Sequence, residues 1–433
     1  MHYQIPKGLF DILPYTDEPW RLTSAWQHLE KVFHKVALDY GFQEIRTPIF
    51  EHTDLFARGV GATSDIVSKE MYTFRDKGER LLSLRPEGTS SVLRAFIENN
   101  LGSYGNIHKL YYVGPMFRYD RPQAGRYRQF HQVGAEVLGV PSAEQDAEII
   151  DMLLEFFVRL GIKNTTIYIN SIGDIESREA FRKAFHSFLT PFIPKLSKES
   201  QSRLEKNPLR ILDSKDPEDQ ALLKNAPSIL DFLSPLCKDH FQKLCSSLDR
   251  IHIPYQINPK IVRGLDYYNK TVFEIASSDL GAQNALGGGG RYDDFTSLFG
   301  GPPLPGTGFS AGMERILQTM LKQNLPLPTC KPIFVFLIPL GERAKEAAFS
   351  LTTQIRHLGI PAEIDLEVKK LQTSLQRANR LHACFAIIIG DREIETKILR
   401  LKNMHQCSEE EISWEHLTPL LQNKWKESHV QRM

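Results

Sequence analysis

Between residues 111 and 139 the chain reads YYVGPMFRYDRPQAGRYRQFHQVGAEVLG. Two strand-like runs flank a loop holding Pro122, Gln123, Ala124 and Gly125, and proline and glycine there are turn residues. The stretch therefore predicts a hairpin. Along its second arm Phe130, Gln132, Gly134 and Glu136 share one face, and His131, Val133, Ala135 and Val137 the other. One face thus carries an amide and a carboxylate at alternating positions. Arg118, Arg121, Arg126 and Arg128 crowd the loop against Asp120 alone. Such a hairpin can hold a phosphate beside a polar small molecule. An arginine-rich hairpin can equally be solvated surface, so stretches elsewhere must decide.

A chain of 433 residues has room for two or three domains, each burying its own core. With Lys+Arg 53 and Asp+Glu 52 the net charge is +1. Contact with nucleic acid must then come from local basic patches. Five scattered cysteines (Cys237, Cys245, Cys330, Cys384, Cys407) form no CxxC pair. They fit a reduced cytosolic protein and argue against a disulfide scaffold or zinc ribbon. The start, MHYQIPKGLFDILP, has neither a long apolar run nor an Arg/Ser-rich amphipathic pattern. The most apolar run, 333–340, is too short to cross a bilayer. A soluble cytoplasmic protein is expected.

Residues 16–40 predict an amphipathic helix, with Trp20, Leu22, Trp26, Leu29, Val32, Phe33 and Val36 at helical spacing and Gly41 ending it. FQEIRTPIF (42–50) predicts a strand with Pro48 at an edge or bulge. A loop and short hairpin follow over 61–80. LLSLRPEGTSSVLRAFIENN (81–100) predicts a strand running into a helix, which Thr89 or Ser90 can cap and whose positive end suits Glu87. A helix over 142–160, with Ser142 as cap, and a strand over 165–170 come next. Residues 175–255 read as an inserted helical module whose His186, His240 and His252 have no catalytic task.

IVRGLDYYNKTVFEI (261–275) reads as an unusually polar strand. ALGGGGRYDDF (285–295) offers a bare backbone open to close approach, or else a flexible hairpin tip; it lacks P-loop and Rossmann glycine spacings. In GTGFSAGMERILQTML (306–321), glycines 306, 308 and 312 let a strand pack on the following helix, and Arg315 lies early in that helix. PLPTCKP (326–332) reads as a linker. Beyond it, strands over 333–340, 361–365, 384–390 and 397–401 alternate with helices over 342–358, 369–381 and 409–425, predicting a small α/β domain.

Taken in order, these stretches resemble the three signature motifs of class II aminoacyl-tRNA synthetases. GFQEIRTPIFE (41–51) is similar to the first, GPMFRYDRP…GRYRQFHQVGAEVLG to the second and GTGFSAGMERI to the third. RGLDYY (263–268), together with RPEGT, FHQxGxE, GGGGRYD and the opening PKGLFDILP, resembles the histidyl-tRNA synthetase family in particular. The resemblance covers nearly the whole chain. It implies an α+β catalytic domain over 1–325, built on an antiparallel class II sheet with a helical insertion at about 170–255. A linker at 326–332 and a C-terminal α/β anticodon-binding domain over 333–433 would follow.

The activity implied is ligation of histidine to its tRNA through an adenylate. ATP, with magnesium delivered on it, would be the energy source, and the partners would be histidine, ATP, a histidine-accepting tRNA and a second copy of the chain, with no membrane. By the same resemblance Glu87, Gly88, Thr89 and Gln132 would hold the α-ammonium end of histidine. Glu136 and Tyr268 would bond its imidazole, with Tyr267 lining the pocket. Arg118 would contact the α-phosphate of ATP and Arg126 the outer phosphates, while Phe130 and Arg315 sandwich adenine. Arg263 would be the catalytic arginine, beside the histidine carboxylate and the α-phosphate. No protein-only metal cage is expected.

The chain departs from the family pattern at His382, where glycine is usual, at Leu9, where threonine is commoner, and across GDREIETKILRLKNMHQ. Two other readings share the fold. A regulatory subunit of ATP phosphoribosyltransferase would lack the tail and much of the catalytic set, whereas this chain keeps Glu87, Arg118, Arg263, Arg315 and the tail. A prolyl or threonyl synthetase would not carry RGLDYY.

Overall fold

The computed structural model describes residues 3–61, 64, 66–120, 125–206, 208–214, 216–262, 265–280, 284–328, 333–367, 370–406 and 408–430. The loop positions Arg121 to Ala124, the expected catalytic Arg263 with Gly264, and most of the expected linker (329–332) lie outside the described residues. The chain forms two compact units, Met1–Thr329 and Cys330–Met433.

The first unit opens on a 3-10 turn, Pro19–Arg21, and helix α1, Thr23–Asp39. The expected helix thus starts seven residues late. Proline disfavours the helical conformation in the residue before it, and Trp20 packs edge-on against Phe10 at 4.8 Å. The strand expected over 42–50 breaks into β1 (Gln43–Glu44) and β2 (Phe50–His52) around Pro48, which has no N–H to give a ladder. Helix α2 (Thr53–Val60) and a π-helical turn (Ile66–Glu70) come next. Strands β3 (Thr73–Arg75) and β4 (Leu81–Leu84) join β2 in a three-stranded antiparallel sheet. After α3 (Thr89–Glu98), β5 (His108–Phe117) and β6 (Gln129–Leu138) make the predicted hairpin, with Met116 opposite Phe130.

Helix α4 (Ala143–Arg159) and β7 (Thr165–Ser171) precede the helical module, α5 (Ile175–Leu189), α6 (Lys198–Lys206), α7 (Pro217–Leu222) and α8 (Pro235–Arg250). Ser142 sits at the α4 cap position without a side-chain cap bond. Strands β8 (Gln256–Ile257), β9 (Asn269–Ser277), β10 (Ala285–Arg291) and β11 (Gly306–Gly312) and helix α9 (Met313–Lys322) complete the unit.

The main sheet has the order β1-β5-β6-β11-β10-β9-β7-β8. Its six central strands pair antiparallel, while β1 on β5 and β8 on β7 are parallel edges. The glycine run is therefore a strand in mid-sheet and no hairpin tip. It has to be glycine: a Cβ on Gly289 would fall 1.9 Å from the Gly308 carbonyl oxygen. Gly306 and Gly308 are similarly crowded, by Tyr292 and Glu136, but a Cβ on Gly312 would meet nothing within 4 Å, so that glycine is not there for packing. The strand expected from 261 begins only at Asn269. Tyr267 and Tyr268 are both buried, at 9% and 5% exposure, which successive residues of a strand with one face inward do not manage.

One core cluster joins α1, α4, α8 and the sheet through Trp26, Phe33, Phe156, Leu244, Ile275 and Phe309. The last helix of the inserted module thus belongs to the main core. A second cluster runs from Phe181, Phe185 and Leu212 of the module through Tyr267, Tyr268 and Phe295 to Val92 and Phe96 of α3.

The second unit contains β12 (Val335–Pro339), α10 (Glu342–His357), β13 (Ala362–Ile364), α11 (Leu371–Arg380), β14 (Phe385–Ile389), α12 (Asp391–Thr396), β15 (Ile398–Asn403), β16 (Ser408–Ser413) and α13 (Trp414–Val430). Its sheet runs β13-β12-β14-β15-β16, the first three parallel and the last two antiparallel. The helix expected from 409 starts at Trp414 because SEEEIS pairs as an edge strand. Glu409 and Glu411 meet Lys402 and Arg400 across the ladder at 2.9 and 3.6 Å. His382, where the family usually has glycine, takes a left-handed φ of 51° just past α11, a conformation that suits glycine best.

Candidate active site

A cleft of about 560 Å³ opens over β6, β10 and β11. Three arginines enter it, two from the β5–β6 loop and one from α9. Arg118 follows β5, and its Nε donates to the Pro86 carbonyl at 2.9 Å while its guanidinium stacks on the Phe130 ring at 5.2 Å. Arg126 pairs with Asp120 at 2.9 Å. Arg315, in the first turn of α9, donates to the carbonyls of Ala285 (3.0 Å) and Gly125 (3.3 Å). Burial, and then repulsion from Arg126, loosen the hold of Arg315 on its proton. Three like charges held together around one space make a site for a multiply charged anion.

The floor beside them is acidic and polar. The Glu87 carboxylate, 4% exposed, accepts the N–H groups of Thr89 (2.6 Å) and Ser90 (3.0 Å). It thus sits at the positive end of α3, as expected, while keeping lone pairs for a further donor; the expected caps Thr89 and Ser90 lie inside the helix, whose N-cap is Gly88. Burial raises its pKa in spite of these bonds. Gln132 donates weakly to Ser310 Oγ (3.4 Å), and its Oε1 is buried without a partner. Such an acceptor is costly to leave unmet and marks where a ligand's N–H belongs.

Glu136 lies one layer deeper. It is 1% exposed and does not line the cleft. The Thr89 hydroxyl donates to one of its oxygens at 2.7 Å and the Tyr292 hydroxyl to the other. Burial, reinforced by the neighbouring Glu87, pushes its pKa up to about 8 against these hydrogen bonds. To reach a ligand it must exchange one of these bonds. Gly88 lines the cleft over the Tyr112 ring, and a Cβ there would lie 2.4 Å from that ring. Tyr267 stacks on Phe295 at 4.1 Å, with Tyr268 beside it at 4.6 Å. Glu87, Gly88, Thr89, Arg118, Arg126, Phe130, Gln132, Tyr267, Tyr268 and Arg315 thus surround one cleft.

Sequence reasoning missed several participants. Tyr292 stands in the quoted GGGGRYD string but was given no part. Arg203 and Arg210 of the helical module also line the cleft; they sit in a polar stretch without periodicity that carried no signal. The arginine of GGGGRYD faces away from the cleft. Arg291, 0% exposed, binds Asp146 at 2.7 Å, Asp293 at 2.9 Å and the carbonyls of Val140 and Ser142. Asp146 also takes His240 Nε2 at 2.8 Å, so His240 is the structural histidine expected.

An arginine-lined cleft on a largely antiparallel sheet is joined in sequence to a unit whose residues 334–424 match the anticodon-binding domain family; together they define an aminoacyl-tRNA synthetase. Residues 8–316 match the histidyl-tRNA synthetase family, and the chain belongs to that family. The histidine–tRNA ligase of Protochlamydia amoebophila is 51% identical over 425 residues, covering 98% of this chain and 100% of the relative. That of Desulfitobacterium hafniense is 46% identical over 428 residues, covering 99% of each. The apo histidyl-tRNA synthetase structure from S. aureus superposes with a TM-score of 0.82 at 36% identity, over 97% of this chain and 100% of the other.

Proposed function

We propose that the chain is a histidine–tRNA ligase: it activates histidine with ATP, releases pyrophosphate and transfers the histidyl group to the 3′ end of its tRNA. Histidine's carboxylate attacks the α-phosphorus, the bond to pyrophosphate breaks in line, and the adenylate forms. The substrate brings its own nucleophile, so the protein's part is positioning and positive charge. The observation that carries this reading is the convergence of Arg118, Arg126 and Arg315 beside the unpartnered Gln132 Oε1 and the buried Glu87.

Arg118 holds the α-phosphate and offers its fork to the developing charge. Arg126 takes the outer phosphates, and Phe130 with Arg315 brackets adenine. Arg263 stands beside the α-phosphate. Glu87, Thr89 and Gln132 receive the ammonium, for which the Thr89 oxygen keeps lone pairs while its proton goes to Glu136. Glu136 and Tyr268 receive the imidazole. A site that bonds both imidazole nitrogens rejects apolar analogues roughly 10⁴–10⁵-fold without editing, because its buried polar groups are left unpaired. Magnesium arrives on ATP, whose phosphate oxygens are donors it prefers; the carboxylates of Asp120 and Glu274 line the same cleft and suit it.

The second unit binds the tRNA anticodon. Two copies pair through the sheet β2-β4-β3, whose Phe50, Phe74 and Leu81, with Ile49 just before β2, are 42–47% exposed and offer apolar surface. The protein works in the cytoplasm; among the described residues no helix is long and apolar enough to cross a membrane, and Cys237 and Cys245 are free thiols.

The test is ATP–pyrophosphate exchange with magnesium and each of the twenty amino acids separately. Exchange with histidine alone is expected. Exchange with another amino acid would overturn the roles of Glu136 and Tyr268, and none with any would favour a regulatory protein.

A further inference from the structure

The segment 261–268 carries Tyr267 and Tyr268, on which the proposed chemistry depends, yet its described residues, 261–262 and 265–268, form no strand. What holds it comes largely from elsewhere. Asn170 Nδ2 donates to the Pro259 and Ile261 carbonyls at 3.2 and 3.1 Å. Asp266 N–H donates to the Val60 carbonyl at the end of α2 (3.3 Å). The Asp266 carboxylate is pressed against Gly61, where a Cβ would fall 2.3 Å from its Oδ2. Two further cations arrive from the inserted module. Arg210 Nη2 meets Asp266 Oδ1 at 3.4 Å, with the two side chains 13% and 31% exposed. Arg178 Nη1 reaches the Tyr268 carbonyl at 3.5 Å.

Arg210 is itself braced. Its carbonyl accepts from Arg203 Nη1 at 3.5 Å, and Arg203 is paired with Glu199 at 2.7 Å. Arg203, Arg210 and Asp213 all face the cleft. The apolar cluster beneath is continuous from Leu212 of the module to Tyr267 and Tyr268. Charge and packing therefore join the module to the catalytic segment across the same seam.

We infer that Arg210 is a positioning residue for adenylate formation. Through Asp266 it fixes the segment carrying Tyr267 and Tyr268, so that the seating of the helical module and the chemistry of the cleft are coupled. Arg210 lines the cleft, and its assigned part is to hold Asp266. The inference rests on the proposed histidine activation. It goes beyond it by giving the module a part in the first half-reaction, before any tRNA is bound.

The consequence falls unevenly on the substrates. Tyr267 and Tyr268 of the segment serve histidine, whereas adenine and the outer phosphates are served by Arg126, Phe130 and Arg315 on other elements. Misplacing a positioned group by about 1 Å can cost roughly 10²-fold in rate.

The experiment is histidine-dependent ATP–pyrophosphate exchange on the full chain, comparing wild type with Arg210→Ala, Arg210→Lys, Asp266→Asn and the double variant Arg210→Ala/Asp266→Asn, alongside their thermal unfolding midpoints. Arg210→Ala and Asp266→Asn are each expected to lower kcat/KM for histidine by roughly ten- to a hundredfold, with KM for ATP within about twofold. The double variant should be no worse than the worse single one, and Arg210→Lys, which keeps the charge, should recover most of the loss at an unchanged midpoint. Unchanged kinetics, losses that multiply in the double variant, an equal rise in KM for ATP, or no rescue by lysine would each overturn the inference. If wild type itself fails to exchange with histidine, the functional reading fails, which is a different result.

Discussion

Arg291 and Asp146 form a buried ion pair whose rupture has a calculable cost. Arg291 is fully buried and Asp146 is 1% exposed. Asp146→Ala leaves the guanidinium with Asp293 and two carbonyls but without its closest carboxylate, and strips His240 Nε2 of its partner. Removing one member of a buried pair costs roughly 3–5 kcal/mol because the surviving charge stays buried without its closest counter-charge. Replacing both members by apolar groups costs much less. Urea unfolding of the first unit at pH 7, followed through Trp20 and Trp26 with Trp414 and Trp425 changed to Phe, measures both. Asp146→Ala is expected to lose about 3–5 kcal/mol, and Asp146→Leu/Arg291→Met clearly less. The loss should also depend on pH with a definite sign. Burial alone would raise the Asp146 pKa, but the Arg291 charge and the His240 hydrogen bond outweigh it and bring it from 3.8 to about 2. The group contributes its full stability above its unfolded pKa and loses it as pH falls through about 2. The gap between wild type and Asp146→Ala should therefore narrow on acidification below about pH 4. A loss under about 1 kcal/mol, or a double variant weaker than the single one, would refute the reasoning.

Three other outcomes are expected. Gly308→Ala places a methyl 2.0 Å from Glu136 Oε2 and 2.5 Å from the Ala135 carbonyl; overpacking of about 1–3 kcal/mol should appear as a higher KM for histidine, with KM for ATP little changed in the exchange assay. The Glu136 pKa is raised to about 8, so free protein should lose stability as pH climbs from 4.5 toward 8, where the unfolded chain has already released the proton. Glu136→Gln should flatten that slope in thermal melts at pH 5 to 8.5, and an unchanged slope would place the titration elsewhere. Deleting 331–433 should depress tRNA charging far more than histidine-dependent exchange; equal losses would mean that the second unit supports the first unit's fold.

The site was more legible in the sequence than the architecture around it. Arginine in a hairpin, glutamate before a helix and a glycine run each carry strong local chemistry, and all were noticed. The failures have local causes. Two prolines were responsible: Pro19 moved the start of α1 and Pro48 split the strand expected over 42–50, because the apolar pattern ran on through both. RGLDYY was taken for a strand since its side chains alternate in type, yet two neighbouring tyrosines are buried in a second core that only the fold creates. The glycine run looked flexible because sequence cannot show the strand that closes over it. Tyr292, Arg203 and Arg210 were invisible for the same reason: their significance lies in partners 156 residues away for Tyr292 and 56 for Arg210. SEEEIS read as helix because its cross-strand cations lie in β15.

The strand order carries one more consequence, in time. Strand β6 pairs with β11, and Leu138 must meet Gly306, 168 residues later (306 − 138). At about 5–20 residues per second, a ribosome needs roughly ten to thirty seconds to cover that distance. Throughout it the β5–β6 hairpin stands with one edge unmet, and Gln132 faces Gly312 across the seam still to be closed. The cleft straddles this seam, so the nascent chain can possess the whole arginine hairpin and still have nowhere to place a substrate. Activity should switch on late in synthesis, when the glycine-rich strands arrive to zip the halves together.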